Sequence, residues 1–267
     1  MKLIEPSAEL WEQGHTIDDI WNHIARCTRV CYQSTPKDEN ESGYDFCKRT
    51  ILKNGHTAML EHGTVYLKIH NPGITKWFIR NPYSYVCYSF DADYITTNMR
   101  VLDENDKLDY LNYLCEPTIY HIKRYTISFI TSIGITREFN RHRVNSIAEQ
   151  STRFCNYSKD KFGGEITFVK PAWYDNVEPR VQEYFRLALE NAELEYMRLT
   201  QYGCSAQEAR EVLPLATKSQ LVHTASVLDW IHFFNLRLYG THGTPHPNAK
   251  EVARLAYTEF INKGIEI

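Results

Sequence analysis

The sequence contains no apolar run that approaches the length of a membrane-spanning helix. Its first residues, Met1-Lys2-Leu3-Ile4-Glu5, lack the apolar core of a secretory signal peptide. Both absences argue against a membrane or secreted protein. We therefore expect a cytoplasmic protein that has no membrane partner.

Paired cysteine spacings are also missing. The chain has seven cysteines, an odd number, and no Cys-x-x-Cys motif of the kind that binds zinc. A disulfide framework in a secreted domain would normally use an even set. We expect reduced thiols and no metal site from these positions: Cys27, Cys31, Cys47, Cys87, Cys115, Cys155 and Cys204.

The chain has no excess of positive charge. Its 30 Lys and Arg residues face 33 Asp and Glu residues, which gives a net charge of −3. Proteins that bind nucleic acid usually present a strongly basic face. We therefore expect no nucleic-acid partner, and the basic cluster within residues 141–153 is better matched to a small anion.

The Gly-x-Gly-x-x-Gly fingerprint of dinucleotide-binding Rossmann folds is absent as well. Strand-like and helix-like segments are mixed without the regular alternation of βαβ units. This pattern predicts an α+β fold, a single domain over residues 1–267 with a mixed or antiparallel sheet and several helices.

Hydrophobic periodicity and capping residues place the main elements. We expect helices over 17–30, 43–53, 104–115, 131–143, 178–202 and 248–262, with short ones around 208–213 and 227–237, and strands over 64–70, 124–130 and 220–224. A short helix and an extended piece near 84–101 should fill the remainder of residues 71–123. A loop after residue 143 should then present Glu149, Ser151 and Arg153.

Residues 141–153 carry the strongest functional signal. They read Arg-His-Arg-Val-Asn-Ser-Ile-Ala-Glu-Gln-Ser-Thr-Arg. Arginine offers planar forks of N–H donors that suit phosphate, and a neighbouring hydroxyl can complete such a site. An isolated Arg-His-Arg triplet would ordinarily be a solvated turn. The full pattern, Arg-His-Arg followed after seven residues by Ser-x-Arg, resembles the signature of the flavin-dependent thymidylate synthases.

Three further blocks resemble the same family, in the same order along the chain. They are Gly55-His56 with Glu61-His62, Ala209-Arg210 with Leu213-Pro214, and Asn235-Leu236-Arg237. The resemblance covers roughly residues 15–262. It implies reductive methylation of dUMP to dTMP, with FAD as cofactor and with methylenetetrahydrofolate and NADPH as co-substrates. It also implies a homotetramer with shared active sites, and an FAD site built without a glycine turn.

The resemblance assigns roles to individual positions. Catalytic roles fall to Arg237, His56 and Ser151. Cofactor contacts fall to His142, Arg143, Arg141, Glu61, Glu149, His232, His246 and Asn235. Substrate contacts fall to Arg141, Glu138, Glu149, Ser151, Thr152, Arg153, Arg210 and Arg237.

Several positions depart from the family pattern. Glu138 stands where glutamine is frequent, Ala58 replaces a frequent hydroxyl residue, and His232 takes a frequent asparagine position. Two histidines, His242 and His246, compete for the late flavin contact, and the residues that follow favour His246. Residues 71–123 form a variable insertion that is long beside the shortest family members.

Two other hypotheses stay open from the residues alone. Cys155, close to three arginines, would act as nucleophile in a cysteine-dependent nucleotide enzyme, although the residue type and position suggest a strand. Alternatively, Arg141, Arg143 and Arg153 would contact RNA phosphates while tyrosines stack on bases.

Overall fold

The computed structural model describes residues 1–36, 38, 40–159 and 162–267. The strands are β1 (Lys2–Ile4), β2 (Ser7–Trp11), β3 (Thr64–Ile69), β4 (Tyr85–Tyr88), β5 (Asp93–Asn98), β6 (Arg124–Ser132), β7 (Ser146–Glu149), β8 (Thr167–Val169) and β9 (Lys218–Ser226). The α-helices are α1 (Ile17–Tyr32), α2 (Gly43–Thr50), α3 (Pro72–Ile79), α4 (Met99–Asp103), α5 (Ile133–Phe139), α6 (Pro179–Gln201), α7 (Ala206–Ala209), α8 (Val227–Phe234) and α9 (Pro247–Asn262). Shorter 3-10 helices cover Leu52–Asn54, Thr57–His62, Leu108–Tyr113, Tyr174–Asn176 and Arg210–Val212, and a π-helix covers Asn235–Tyr239.

The central sheet has four strands in the order β2-β6-β9-β7, and every pair in it is antiparallel. Successive side chains of a strand point to opposite faces. Leu221 of β9 accordingly joins a core with α5, α8 and α9, whereas Val222 packs with residues of α1. Helices thus cover both faces of β9, which explains why most of this strand is buried.

A second, three-stranded sheet has the order β3-β5-β4 and is also antiparallel. Its inner residues, such as Val65 and Ile95, share one core with Ile20 and Ile24 of α1. The strands β1 and β8 form a short parallel pair. The α+β class with antiparallel sheets is confirmed, and residues 71–123 supply most of the second sheet.

The capping box predicted at Ser205 and Glu208 is confirmed at the start of α7. The helix predicted from hydrophobic spacing near residue 17 is confirmed as α1, and it starts with a further capping box of Thr16 and Asp19. Both arrangements satisfy N–H groups that the first turn of a helix leaves free. Gly55, with φ of 68°, ends the 3-10 helix that follows α2.

Two predicted helices are wrong in extent. The helix expected over 131–143 is only α5, because β6 continues to Ser132, which pairs with Lys218 of β9. The helix expected over 104–115 is replaced by the 3-10 helix Leu108–Tyr113, and α4 ends just before this range, at Asp103. Asp106 adopts a positive φ of 54° between them, which interrupts the helical hydrogen bonds.

Within the described residues, none of the helices combines the length and the apolar character that crossing a bilayer requires.

Buried histidines make the stability of this fold sensitive to acid. Burial lowers the pKa of His23 from 6.5 to about 4 and that of His223 to about 3, and burial also lowers the pKa of His62. Below pH 6.5 the unfolded chain therefore binds protons that the folded chain does not. Stability is fully present above that pH and is lost as pH falls toward 4.

We expect the free energy of unfolding to fall by about 3 kcal/mol for His23 alone, since one pKa unit corresponds to about 1.4 kcal/mol. Denaturant titrations between pH 7.5 and 4 would measure it. The His23→Asn variant should show a shallower pH dependence, whereas His242→Asn, at an exposed position, should match the unsubstituted protein. Equal slopes in all three proteins would contradict the prediction.

Candidate functional site

Arg237 lies at the centre of a hydrogen-bonded cluster. Its Nη1 donates to Oε2 of Glu138 at 2.8 Å and its Nη2 donates to the Glu138 carbonyl at 2.7 Å. Its Nε donates to Nε2 of His142 at 3.1 Å. These bonds use three of the five guanidinium N–H donors, and the other two have no acceptor among the residues that the structure describes, so they can bind a ligand.

The local backbone explains how these residues meet. Glu138 is on α5, and His142 follows in the turn after that helix. Arg237 lies in the π-helix Asn235–Tyr239, which continues α8 and ends at Gly240 with φ of 72°. A Cβ atom at Gly240 would lie 2.9 Å from the Gly243 carbonyl oxygen, so both the positive φ and the close approach require glycine here.

The protonation states fit this geometry. Burial, together with the nearby charges of Arg237 and His232, lowers the pKa of His142 from 6.5 to about 4. A neutral imidazole can accept the Arg237 Nε–H, whereas an imidazolium cannot. The pKa of Arg237 is lowered by burial and raised by Glu138, and the guanidinium stays charged at neutral pH.

Arg141 and Arg143 flank His142 and are exposed. Within the described part of the chain, neither guanidinium forms a side-chain hydrogen bond or an ion pair. His232 is also exposed, and its ring lies 6.0 Å from that of His142. Cationic donors without carboxylate partners are suited to an anionic ligand.

The second half of the motif forms a turn against α7 and the following 3-10 helix. Nη1 of Arg210 lies 3.3 Å from Oγ1 of Thr152, and Nη2 of Arg153 lies 3.4 Å from the side-chain oxygen of Gln207. The Ser151 hydroxyl accepts from the Arg153 backbone N–H at 3.3 Å. The structure thus brings Ser151, Thr152, Arg153 and Arg210 together.

Glu149 joins the two halves of the motif. One carboxylate oxygen accepts from Asn140 at 2.8 Å, and the other accepts from the Ser219 hydroxyl at 3.1 Å. The expectation that Glu149 lies in a loop is wrong: it ends β7 and pairs with Leu221 of β9. The strand β7 is set by its antiparallel pairing with β9 over Ser146–Glu149, rather than by a local sequence pattern.

His56 and Glu61 lie at the two ends of the 3-10 helix Thr57–His62. The end that carries Glu61 contacts β7. The Ser146 hydroxyl donates to the Glu61 carbonyl at 3.3 Å, and the Glu61 carboxylate pairs with Arg100. His56 is exposed and lines a cavity of about 430 Å³ with Tyr32 and Arg100. The 3-10 helix that carries Glu61 therefore packs against β7.

A larger cavity of about 750 Å³ lies between α5, α9 and the segment after β8. Glu138 and His246 both line it, together with Trp173 and Lys170. His246 caps α9 through its ring nitrogen, which accepts from the Asn248 backbone N–H at 3.2 Å. The other late histidine, His242, lies in the exposed turn and does not line this cavity.

Asn235 contributes through its backbone. Its carbonyl accepts from the Thr241 N–H at 3.0 Å and lies 3.2 Å from the Thr241 hydroxyl. It thereby fixes the turn between the π-helix and α9, and so the position of Arg237.

Sequence reasoning missed two cations beside the predicted residues. Nζ of Lys218 donates to the Gln150 side chain at 2.7 Å, and burial lowers the pKa of Lys218 from 10.5 to about 8. The available signal for Lys218 was its place just before the strand predicted over 220–224, which would have indicated a cation at the start of that strand. Arg100 gave none, because it lies in the segment taken as a variable insertion.

Cys155 is fully buried and lies after a turn, outside the strands, so the expectation that it is a strand residue is wrong. The Cys155 N–H donates to the Ser151 carbonyl at 3.0 Å, a turn-type hydrogen bond rather than a ladder bond. A thiol with no solvent-exposed surface is poorly placed to attack a substrate.

Comparisons with known proteins agree on one family. Residues 78–263 match the family model described as thymidylate synthase complementing protein. A flavin-dependent thymidylate synthase of Geobacter sulfurreducens is 27% identical over 154 residues, which cover 57% of this chain and 64% of that protein. One of Sulfurisphaera tokodaii is 30% identical over 119 residues, which cover 45% of this chain and 43% of that protein. The matches thus span less than two thirds of either relative.

One solved structure resembles the whole chain. It is a UMP/dUMP methylase, PolB, from Streptomyces cacaoi, bound with 5-Br dUMP. The TM-score is 0.48 at 19% sequence identity, and the match covers 98% of this chain and 93% of that one.

Proposed function

This chain belongs to the thymidylate synthase complementing protein family, and we propose that it is a flavin-dependent thymidylate synthase. The proposed reaction is the reductive methylation of dUMP at C5 of uracil. Methylenetetrahydrofolate donates the one-carbon unit and NADPH is the reductant. The relatives named flavin-dependent thymidylate synthase support this assignment.

The observation that carries the proposal is the arrangement around Arg237. Its guanidinium is fixed by Glu138 and by neutral His142, and Glu138 lines the cavity of about 750 Å³. Ligand cavities typically measure about 300–1,000 Å³. A fixed cation with two free N–H donors can stabilise negative charge on a pyrimidine carbonyl, which makes C5 more nucleophilic.

The residues around His142 fit FAD. Its diphosphate needs N–H donors, and Arg141 and Arg143 offer exposed guanidinium groups that pair with no carboxylate among the described residues. We propose that these arginines, with His142, His232 and His246, hold the cofactor. Bound FAD would accept a hydride from NADPH and pass it to the one-carbon unit.

The turn at 151–153 fits the phosphate of dUMP. Ser151 and Thr152 offer hydroxyl groups, and Arg153 and Arg210 offer guanidinium groups within the same contact network. Glu149, already fixed by two hydrogen bonds, is placed to accept from the nucleotide sugar. We propose that this turn binds the nucleotide and that no protein nucleophile takes part.

Replacing Arg153 by alanine should weaken dUMP binding by about tenfold to a hundredfold. The reason is the loss of a charge-assisted hydrogen bond, worth about 1.5–3 kcal/mol. The affinity for FAD should stay unchanged, because Arg153 lies at the other end of the motif from Arg141. Titration calorimetry with each ligand would measure both, with Arg186→Ala on the exposed part of α6 as the matched control. Loss of FAD with dUMP affinity intact would reverse the assignment of the two halves.

We further propose a homotetramer with FAD at subunit contacts. Exposed Arg141 and Arg143 leave the flavin site open in one chain, and α6 presents an exposed apolar stripe of Tyr184, Leu187 and Leu194. The spacing of three and seven residues places these side chains on one helical face. Light scattering measures the assembly, and a monomer that stays active at high dilution would contradict it.

An anaerobic assay tests the function as a whole. The purified protein should be yellow, and NADPH should bleach the flavin absorbance in the presence of dUMP. Adding methylenetetrahydrofolate should then restore the absorbance and yield dTMP. A colourless protein that forms no dTMP with added FAD would refute the proposal, and a colourless protein that co-purifies with nucleic acid would favour an RNA-binding function.

A further inference from the structure

Helix α4 holds the 3-10 helix Thr57–His62 at both ends. At one end, the Thr57 hydroxyl donates to Oε1 of Glu104 at 2.7 Å. At the other end, Arg100 pairs with Glu61, and the Met99 N–H donates to the Gly63 carbonyl at 2.9 Å. The short helix that carries His56 and Glu61 at its ends is therefore fixed by residues of the segment 71–123.

Arg100 is the centre of this contact. Its Nη1 bonds Oε1 of Glu61 and its Nε bonds Oε1 of Glu104 at 2.9 Å. The three side chains are only partly exposed, at 35%, 24% and 42% respectively, so solvent screens the charges less than on an open surface. The two carboxylates raise the pKa of Arg100, and the Thr57 hydroxyl and Arg100 lower that of Glu104.

Glu61 keeps one free oxygen in this arrangement. Arg100 engages Oε1, while Oε2 accepts no hydrogen bond from the residues that the structure describes. The backbone of Glu61 is fixed as well, because its carbonyl accepts from Nη2 of Arg124 at 3.2 Å and from Ser146. In the Glu61 carboxylate, Oε1 is thus held by Arg100, and Oε2 can accept a hydrogen bond from a ligand.

Arg100 also separates two cavities. It lines the cavity of about 430 Å³ that His56 borders and a neighbouring one of about 180 Å³ that Glu61 borders. Removing its side chain would join these spaces and release the carboxylate that it fixes.

We propose that Arg100 is a positioning residue, which orients the Glu61 carboxylate toward the bound flavin. This rests on the proposed function and on the cofactor contact that the family resemblance assigns to Glu61. It makes the segment 71–123 a working part of the site rather than a peripheral insertion. The same segment reaches α8, where the Tyr85 hydroxyl lies 3.2 Å from Oγ of Ser226, the residue that caps this helix.

The test compares Arg100→Ala and Arg100→Lys with Arg80→Ala, an exposed arginine of the same segment. FAD affinity is measured by absorbance after ultrafiltration, and flavin orientation by visible circular dichroism. We expect Arg100→Ala to weaken FAD binding about tenfold and to change the dichroism spectrum. Arg100→Lys should recover part of the affinity, because an ammonium can reach Glu61 but cannot also hold Glu104 in a fork. Arg80→Ala should match the unsubstituted protein.

A merely structural role predicts a different result. Arg100→Ala would then melt at a lower temperature while its FAD affinity and dichroism stay within twofold of Arg80→Ala, and that outcome would overturn the proposal. If Arg100→Ala does not fold, Arg100→Lys carries the comparison, with an expected loss of about threefold. Unsubstituted protein that binds no flavin would refute the proposed function itself, and it is measured before any variant.

Discussion

Replacing Arg237 by lysine should lower kcat/KM for dTMP formation by about a hundredfold or more. Removal of one preorganised donor from a site of charge stabilisation typically costs a factor of about 10²–10³. The guanidinium makes three contacts, two to Glu138 and one to His142. Lysine keeps the charge but cannot form this planar fork. The expected loss therefore tests the geometry of the cation rather than its charge.

The measurement is steady-state dTMP formation at saturating FAD, with the melting temperature determined in parallel. Arg80→Lys is the matched control, since Arg80 is an exposed arginine at the end of α3. Activity of Arg237→Lys within threefold of this control would remove Arg237 from the reaction.

The largest expected loss of stability follows from replacing Trp230 by alanine. Trp230 is fully buried, and its ring lies 5.3 Å from that of Phe233 and 5.5 Å from that of Phe260. Its indole N–H donates to the Tyr125 carbonyl at 3.1 Å. The variant loses aromatic contacts from three elements and leaves a cavity, at a cost of about 3–5 kcal/mol.

Denaturant unfolding followed by far-UV circular dichroism would measure this loss at one fixed protein concentration, because assembly also contributes to stability. Leu228→Ala is the control on the same helix, with a side chain that is largely exposed. We expect it to lie within about 0.5 kcal/mol of the unsubstituted protein. A Trp230→Ala loss as small as that of the control would show that this core does not hold the sheet to α8 and α9.

Local signals predicted much of this fold. The apolar spacing over 17–30, the capping pair at Ser205 and the alternation over 64–70 depend on neighbours in the chain, and the elements formed as expected. The shortened helix after residue 132 could not be predicted in this way. Its start is set by pairing of β6 with β9, whose partner residues lie some 90 positions further along. Glu149 became a strand residue for the same reason.

In the candidate site, too, some features could be predicted from neighbouring residues and others depend on distant contacts. The resemblance to the family could be recognised in residues 141–153 directly, because its residues are neighbours in the chain. The bonds of Arg237 with Glu138 and of Arg210 with Thr152 join distant parts of the chain, and only the fold brings them together. The role of Arg100 depends on where α4 packs, for which the sequence pattern of residues 71–123 offers no local rule.

The π-helix at Asn235–Tyr239 has a consequence for how this site tolerates insertions and deletions. A π-turn holds one residue more than the equivalent α-turn, whereas each residue of an α-helix turns by about 100° around the axis. Deleting Leu236 would leave an α-turn in place of the π-turn. Because the α-turn closes with one residue fewer, the chain beyond it would keep nearly the same direction. The residues inside the turn would each move to a new angle around the axis, and the Arg237 guanidinium would leave Glu138, although α8 kept its length and its core contacts. The position of Arg237 relative to Glu138 therefore depends on the number of residues in the π-helix, independently of which apolar residues fill the core around α8.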